Sequence, residues 1–215
     1  MIAMTLAALI LARSPHDTLR VGALGRLPSV DGRIEVGEYG APAVTLHTSG
    51  GLVRVWLGHR DGALFIAAEI PDGTRYWGDD LVVAIDPDGS GGPAPGSGDR
   101  LWILRRIADS SVAVVATGDG RWEPAGGARS IGAVHRGAGW TAATADSGAR
   151  WVAELRVDLP NGTAAPRVAV RTFNDAPAPA WVAWPAPDGV PAQRVERMPD
   201  HWMPFVLGAP AGARP

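Results

Sequence analysis

Two kinds of residue in this sequence stand where they could do chemistry: tryptophans outside predicted strands, and a run of closely spaced aspartates. The chain holds nine Trp against three Phe and two Tyr. Trp56, Trp140 and Trp151 fall in or beside predicted strands, where packing is the expectation. Trp77, Trp181, Trp184 and Trp202 fall instead in turn or Pro-rich context, where an exposed indole makes a platform for a sugar face, a base or a protein partner. Asp79, Asp80, Asp86, Asp88 and Asp99 crowd together, and Asp86-Pro87-Asp88-Gly89-Ser90 reads like the start of a calcium loop. Hard oxygen donors from Asp86 and Asp88, facing solvent, would suit that ion. The pattern does not complete an EF-hand, having no Glu at its twelfth position and no flanking helices, and Asp-Pro-Asp-Gly is also an ordinary turn sequence.

Other chemistries find less to work with. His16, His47, His59, His135 and His201 are scattered without zinc-site spacing, and no Ser sits in Gly-x-Ser-x-Gly context. The sequence has no Cys, which excludes disulfides, thiolate metal sites and a cysteine nucleophile. All 20 basic residues are Arg, so lysine-dependent catalysis is excluded, and the bias fits a GC-rich bacterial genome. A net charge of −2 gives no support to a nucleic-acid binder. Glu35 with Glu38, or Asp79 with Asp80, could in principle hydrolyse glycosides, but adjacent acids at turns are usually solvated. The chain is therefore read as a binding domain with no catalytic residue, not as an enzyme.

The elements that must position these residues are strands. Of the 215 residues, 28 are Gly and 19 Pro, short of the share typical of disordered chains, and a hydrophobic fraction of 46% supplies a core. Beyond residue 40, short apolar or alternating runs are separated by Gly, Pro and Asp turns, the pattern of an all-β domain. Strands are predicted at Val53–Gly58, Ala63–Ile70, Leu81–Asp86, Leu101–Ile107, Val112–Thr117, Ile131–Arg136, Gly139–Thr144, Trp151–Asp158 and Val168–Phe173, with a last one at Val206–Leu207. Runs that are apolar nearly throughout, such as Leu81–Ile85, suit strands covered on both faces. The reading is a single two-sheet antiparallel β-sandwich over residues 21–208, jelly-roll-like, with a flexible tail at 209–215. Pro87–Asp99 and Ala176–Pro191 are predicted as exposed loops, the first mobile and the second too rich in Pro for a sheet.

Ile2–Ala12 is an apolar run too short to span a membrane. Within a segment covering residues 1–20 it reads as a signal sequence, which would put the protein outside the cytoplasm as a secreted or periplasmic molecule. A short packing helix is the other reading, and it would leave the protein cytoplasmic.

Three stretches, taken in order, resemble the family 9 carbohydrate-binding modules and the related DOMON-like sandwiches. The first is Val30-Asp31-Gly32-Arg33-Ile34-Glu35 with Glu38-Tyr39-Gly40. The second pairs Ala63 to Asp72 with Trp77-Gly78-Asp79-Asp80 and Leu81 to Asp86. The third joins Trp151 to Val157, Arg171-Thr172-Phe173-Asn174 and Trp202-Met203-Pro204-Phe205. The likeness covers nearly all of the chain from residue 28.

The resemblance implies a terminal sugar held between two aromatic rings, with polar side chains on its hydroxyls and structural calcium nearby. It implies Trp77 as the first ring, Trp181 or Trp184 as the second, and Asn174 with Arg105 or Arg106 on the hydroxyls. Where sugar-binding members often hold a Glu, this sequence has Val82 or Val83, which removes a charge-assisted acceptor. The expected function is a non-catalytic carbohydrate-binding module. Two alternatives belong to other classes. One is a noncovalent haem domain for electron transfer, with Met198 or Met203 and a His as axial ligands. The other is a protein-interaction module of an envelope assembly, built on the exposed Trp and Pro surface.

Overall fold

The structure is a computed structural model that describes residues 18–107, 111–125, 129–131, 134–160, 165–175 and 177–209. The expected signal segment Ile2–Ala12 and the tail from residue 210 lie outside the described residues. Among the described residues fifteen strands, β1 to β15 in chain order, run from Leu19–Ala23 (β1) to Met203–Leu207 (β15). The chain is all-β, as its alternation predicts. Among the described residues the first strand starts at Leu19.

One half of the curled sheet carries Val44–Thr48 (β2), Gly51–Arg60 (β3), Ala63–Pro71 (β4), Arg129–Ile131 (β9), Val134–Gly137 (β10), Trp140–Asp146 (β11) and Arg150–Asp158 (β12). Its order is β2-β3-β4-β12-β11-β10-β9. The other half carries Asp80–Asp86 (β5), Arg100–Arg105 (β6), Val112–Ala116 (β7), Trp122–Pro124 (β8), Arg167–Asn174 (β13) and Ala180–Trp184 (β14), ordered β8-β7-β6-β5-β13. Along its other edge β13 is shared by β14 and β15. β1 joins the halves: Leu19–Val21 lie parallel to β15, and Gly22 and Ala23 lie parallel to β3. All other pairings are antiparallel, so the expected antiparallel sandwich is corrected at this one seam.

The two halves press Val53, Val55, Leu64 and Ile66 against Leu81, Val83, Trp102 and Val170 in the main core, with Trp140 and Trp151 among them. Both outer faces carry further apolar layers. Residues 24–40 lie over the β3–β4 side, where Tyr39, Val30 and Ile34 pack with Trp56 and Phe65. The fully buried Glu154 of β12 docks this segment: Oε2 accepts the backbone N–H groups of Asp31, Gly32 and Arg33 at 2.7–3.2 Å, and Oε1 accepts the Tyr39 hydroxyl at 2.7 Å. Gly32, at φ 85°, could not carry a side chain there, because a Cβ would lie 2.8 Å from Cβ of Ala145. Over the other half, a 3₁₀ helix at Ala192–Arg197 and Trp202 cover Val82, Ala84, Leu101 and Ala169. This cover is why β5 is buried along its whole length and can be apolar on both sides.

Ala180–Trp184 departs from the loop expected across Ala176–Pro191. The run is free of Pro between Pro179 and Pro185 and pairs with β13 alone, so no Pro has to donate to the ladder. The segment Pro87–Asp99 is likewise tied down: Gly92 N–H donates to Asp200 at 2.6 Å and Gly96 N–H to Asp99 at 2.9 Å.

Candidate functional site

At one end of the β5–β6–β13–β14 sheet, four outward side chains form a row across neighbouring strands. Asp80 stands opposite Arg105 and opposite Phe173, and Phe173 stands opposite Trp181. Directly paired residues share a face, with Cβ atoms about 4.5–5.5 Å apart, so the register alone brings these groups together. The Phe173 and Trp181 rings meet at 4.6 Å between centroids. Tyr76 lies 6.4 Å from Phe173 and 5.5 Å from Trp77, extending the aromatic surface to the preceding turn. The Arg105 guanidinium lies over the Trp77 ring, 5.7 Å from its centroid, a cation–π contact. Trp77 is 63% exposed and Trp181 44%, so both indoles face water.

The turn that presents Trp77 is built from buried acids. Asp72 Oδ1 accepts the Thr74 N–H at 2.8 Å, and Asp79 Oδ2 accepts the Tyr76 N–H at 3.1 Å. Arg106, buried, reaches both carboxylates, at 3.3 Å to Asp72 and 3.5 Å to Asp79, and also pairs with Asp146 at 3.1 Å. This ties the Trp77 turn to the end of β6 and to the β11–β12 turn. Burial pushes the Asp79 carboxyl up to about 6 despite the N–H groups it accepts. Gly78 leaves room for the Tyr76 ring, with which a Cβ would collide.

Among the residues singled out from sequence, Trp77, Arg105 and Trp181 share this face. Arg106 does not reach it, because it is engaged in the buried acidic network. Asn174 is turned inward, with Nδ2 donating to the Pro71 carbonyl at 3.2 Å. Trp184 points to the side opposite Trp181, as its position three residues along a strand requires, and packs on the main core. Trp202, expected in a loop, is 1% exposed and donates Nε1–H to the Val195 carbonyl at 2.7 Å. Asp79 and Asp80, expected to be solvated, are both buried. Asp86, expected to face solvent, is also buried, with its oxygens accepting the N–H groups of Gly89 and Gly91 at 2.7 and 2.8 Å. Asp88 is exposed. Among the described residues no group of three or more His, Asp or Glu is disposed to hold a metal ion.

Phe173, Tyr76, Arg171 and Glu196, near this face, are not among the sequence-based candidates, whereas Asp80 is, as one of the crowded aspartates. Reading Arg171 and Phe173 as positions i and i+2 of one strand face would have found two of them. For the haem ligands considered, Met203 is buried in the main core, His201 is exposed, and His59 Nε2 lies 2.7 Å from the Gly208 carbonyl.

Fold and site together describe an all-β sandwich with an exposed aromatic and arginine face at one sheet end. Among the described residues no helix is long and apolar enough to cross a membrane. No family model matches the chain, and no curated protein matches it at a significant level.

Proposed function

We propose that the chain is a non-catalytic module that holds a sugar ring against Trp77 and Trp181, as the likeness to family 9 carbohydrate-binding modules and DOMON-like domains implies. The observation that supports this reading is the pair of exposed indoles on one face, linked through Phe173 and Tyr76 and flanked by Arg105. The C–H face of a pyranose packs on an indole much as another ring does, and Arg105 donates to ring hydroxyls. Ring stacking contributes about 0.5–1.5 kcal/mol per pair beyond area burial, so two platforms support weak binding. The expected affinity is micromolar to millimolar, about −8 to −4 kcal/mol.

A glycan array followed by tryptophan-fluorescence titration tests the reading. Binding that is lost in both Trp77→Ala and Trp181→Ala supports it; an empty array, or binding indifferent to both changes, overturns it. A Soret band in the purified protein would favour the haem alternative instead. An extracytoplasmic location belongs to the same reading and rests on the apolar run Ile2–Ala12; cell fractionation tests it.

A further inference from the structure

The aromatic face has a polar floor that stacking does not use. Arg171 lies two residues before Phe173 on the same face of β13, opposite Val82 and Ala183. Its guanidinium faces Asp80, with Nη1–Oδ1 at 3.3 Å and Nη2–Oδ2 at 3.4 Å, and Glu196 of the 3₁₀ helix, with Nε–Oε2 at 3.5 Å. Charge-assisted contacts of this kind usually close to about 2.7–2.9 Å. All three are therefore long. Nε of Arg171 and Oε2 of Glu196 are buried with no hydrogen-bond partner, while the three side chains keep 11–14% of their surface open. A guanidinium set among carboxylates and sheltered from water is costly unless its protons and their lone pairs are filled. Here they are incompletely filled, on the face of β13 that carries Phe173 and, across the ladder, the exposed Trp181.

We propose that Asp80, Arg171 and Glu196 form the hydroxyl-reading floor of this site, and that its ligand is an uncharged pyranose with adjacent hydroxyls. The inference rests on the sugar-binding reading above. A hydroxyl donates and accepts at once, so two neighbouring hydroxyls can give their protons to the carboxylates while taking protons from the guanidinium. A polar floor of this kind rejects analogues that lack the matching hydroxyl, because its own groups are then left unpaired. The charges decide against an acidic sugar. Arg105 and Arg197 act on these acids from around the floor, but the floor itself sets two carboxylates against the one guanidinium of Arg171, so a ligand carboxylate seated on it would meet two protein carboxylates at close range.

The experiment titrates the full chain, by tryptophan fluorescence, with the methyl glycosides of glucose, galactose, xylose and glucuronic acid. At least one neutral glycoside is expected to bind, with the glucuronoside at least tenfold weaker. Glu196→Gln and Asp80→Asn should each weaken the neutral glycoside at least tenfold, with unchanged circular dichroism. Should Asp80→Asn fail to fold, Glu196→Gln carries the test, since its residue lies on a short surface helix. The inference is overturned if Trp77→Ala abolishes binding but Glu196→Gln leaves it within twofold, or if the glucuronoside binds more tightly than every neutral glycoside. Absence of binding by the unaltered chain to all four is a different result: it removes the sugar reading and this inference with it.

Discussion

Asp79 and Asp175 are joined across 96 positions of chain: Asp79 Oδ1 accepts the Asp175 backbone N–H at 3.1 Å, while Oδ2 accepts that of Tyr76 at the same distance. One carboxylate therefore holds both the turn that carries Trp77 and the start of the segment that leads to Trp181. Asp79→Asn leaves only one acceptor oxygen for these two donors and weakens the ion pair with Arg106. Urea unfolding should register a loss of about 1–3 kcal/mol, the usual cost of an unsatisfied buried group. Sugar affinity should fall at least tenfold even where the fold is intact, because the two indoles lose their shared anchor. An affinity unchanged in the variant would show that Asp79 does not position them.

The tryptophans should separate cleanly by mutation. Trp77→Ala removes an exposed ring, so the melting curve should move little, by about 0.5 kcal/mol or less, while binding is lost. Trp151→Ala empties a fully buried site in the main core and should cost about 3–5 kcal/mol. Denaturant midpoints for the two variants, measured side by side, check this.

Stability should decline as pH rises from 5 to 8. Burial pushes Glu154 up to about 7 and Asp79 and Asp99 up to about 6, above their unfolded values of 4.5 and 3.8. The folded state then holds more protons than the unfolded one. The associated stability is present below the unfolded values and is lost as pH climbs through 6 and 7. Asp146, lowered by Arg106 against its own burial, acts with the opposite sign but below this window. Melting temperatures across the range should fall, and Glu154→Gln, which can still accept the three N–H groups through its amide oxygen, should flatten the slope. A profile equally steep in that variant would exclude Glu154 as a principal source.

Asp86 closes the Pro87–Asp99 segment through Gly89 and Gly91. Asp86→Ala strands two N–H groups and should lower stability by about 1–3 kcal/mol in calcium-free buffer. Differential scanning calorimetry with and without calcium separates this closing role from ion binding, since an ion that binds only the folded chain raises the melting temperature with the logarithm of its free concentration once that exceeds the dissociation constant.

Much of the architecture is written locally. The short apolar runs Ala63–Ile70 and Leu81–Asp86 and the alternation that closes Trp151–Asp158, with Gly and Asp turns between them, settle strand identity because run length, turn residues and a side-chain period of two need only neighbours to read. Trp77 as an exposed ring is legible for the same reason, since a turn residue has no strand face to bury. What sequence does not carry is which faces acquire a second cover and which loops meet. Asp86 is buried because the loop after it folds back through Gly89 and Gly91, Trp202 because it packs on the distant Val82, Ala84 and Leu101, and Asn174 and Trp184 turn inward because of a register visible only once β13 and β14 pair. The Arg105–Asp80–Phe173–Trp181 row likewise exists only through long-range pairing. Local propensity put Arg105 and Phe173 on strands; long-range pairing alone, of β5 with β6 and β13 and of β14 with β13, set Asp80 and Trp181 beside them on one face.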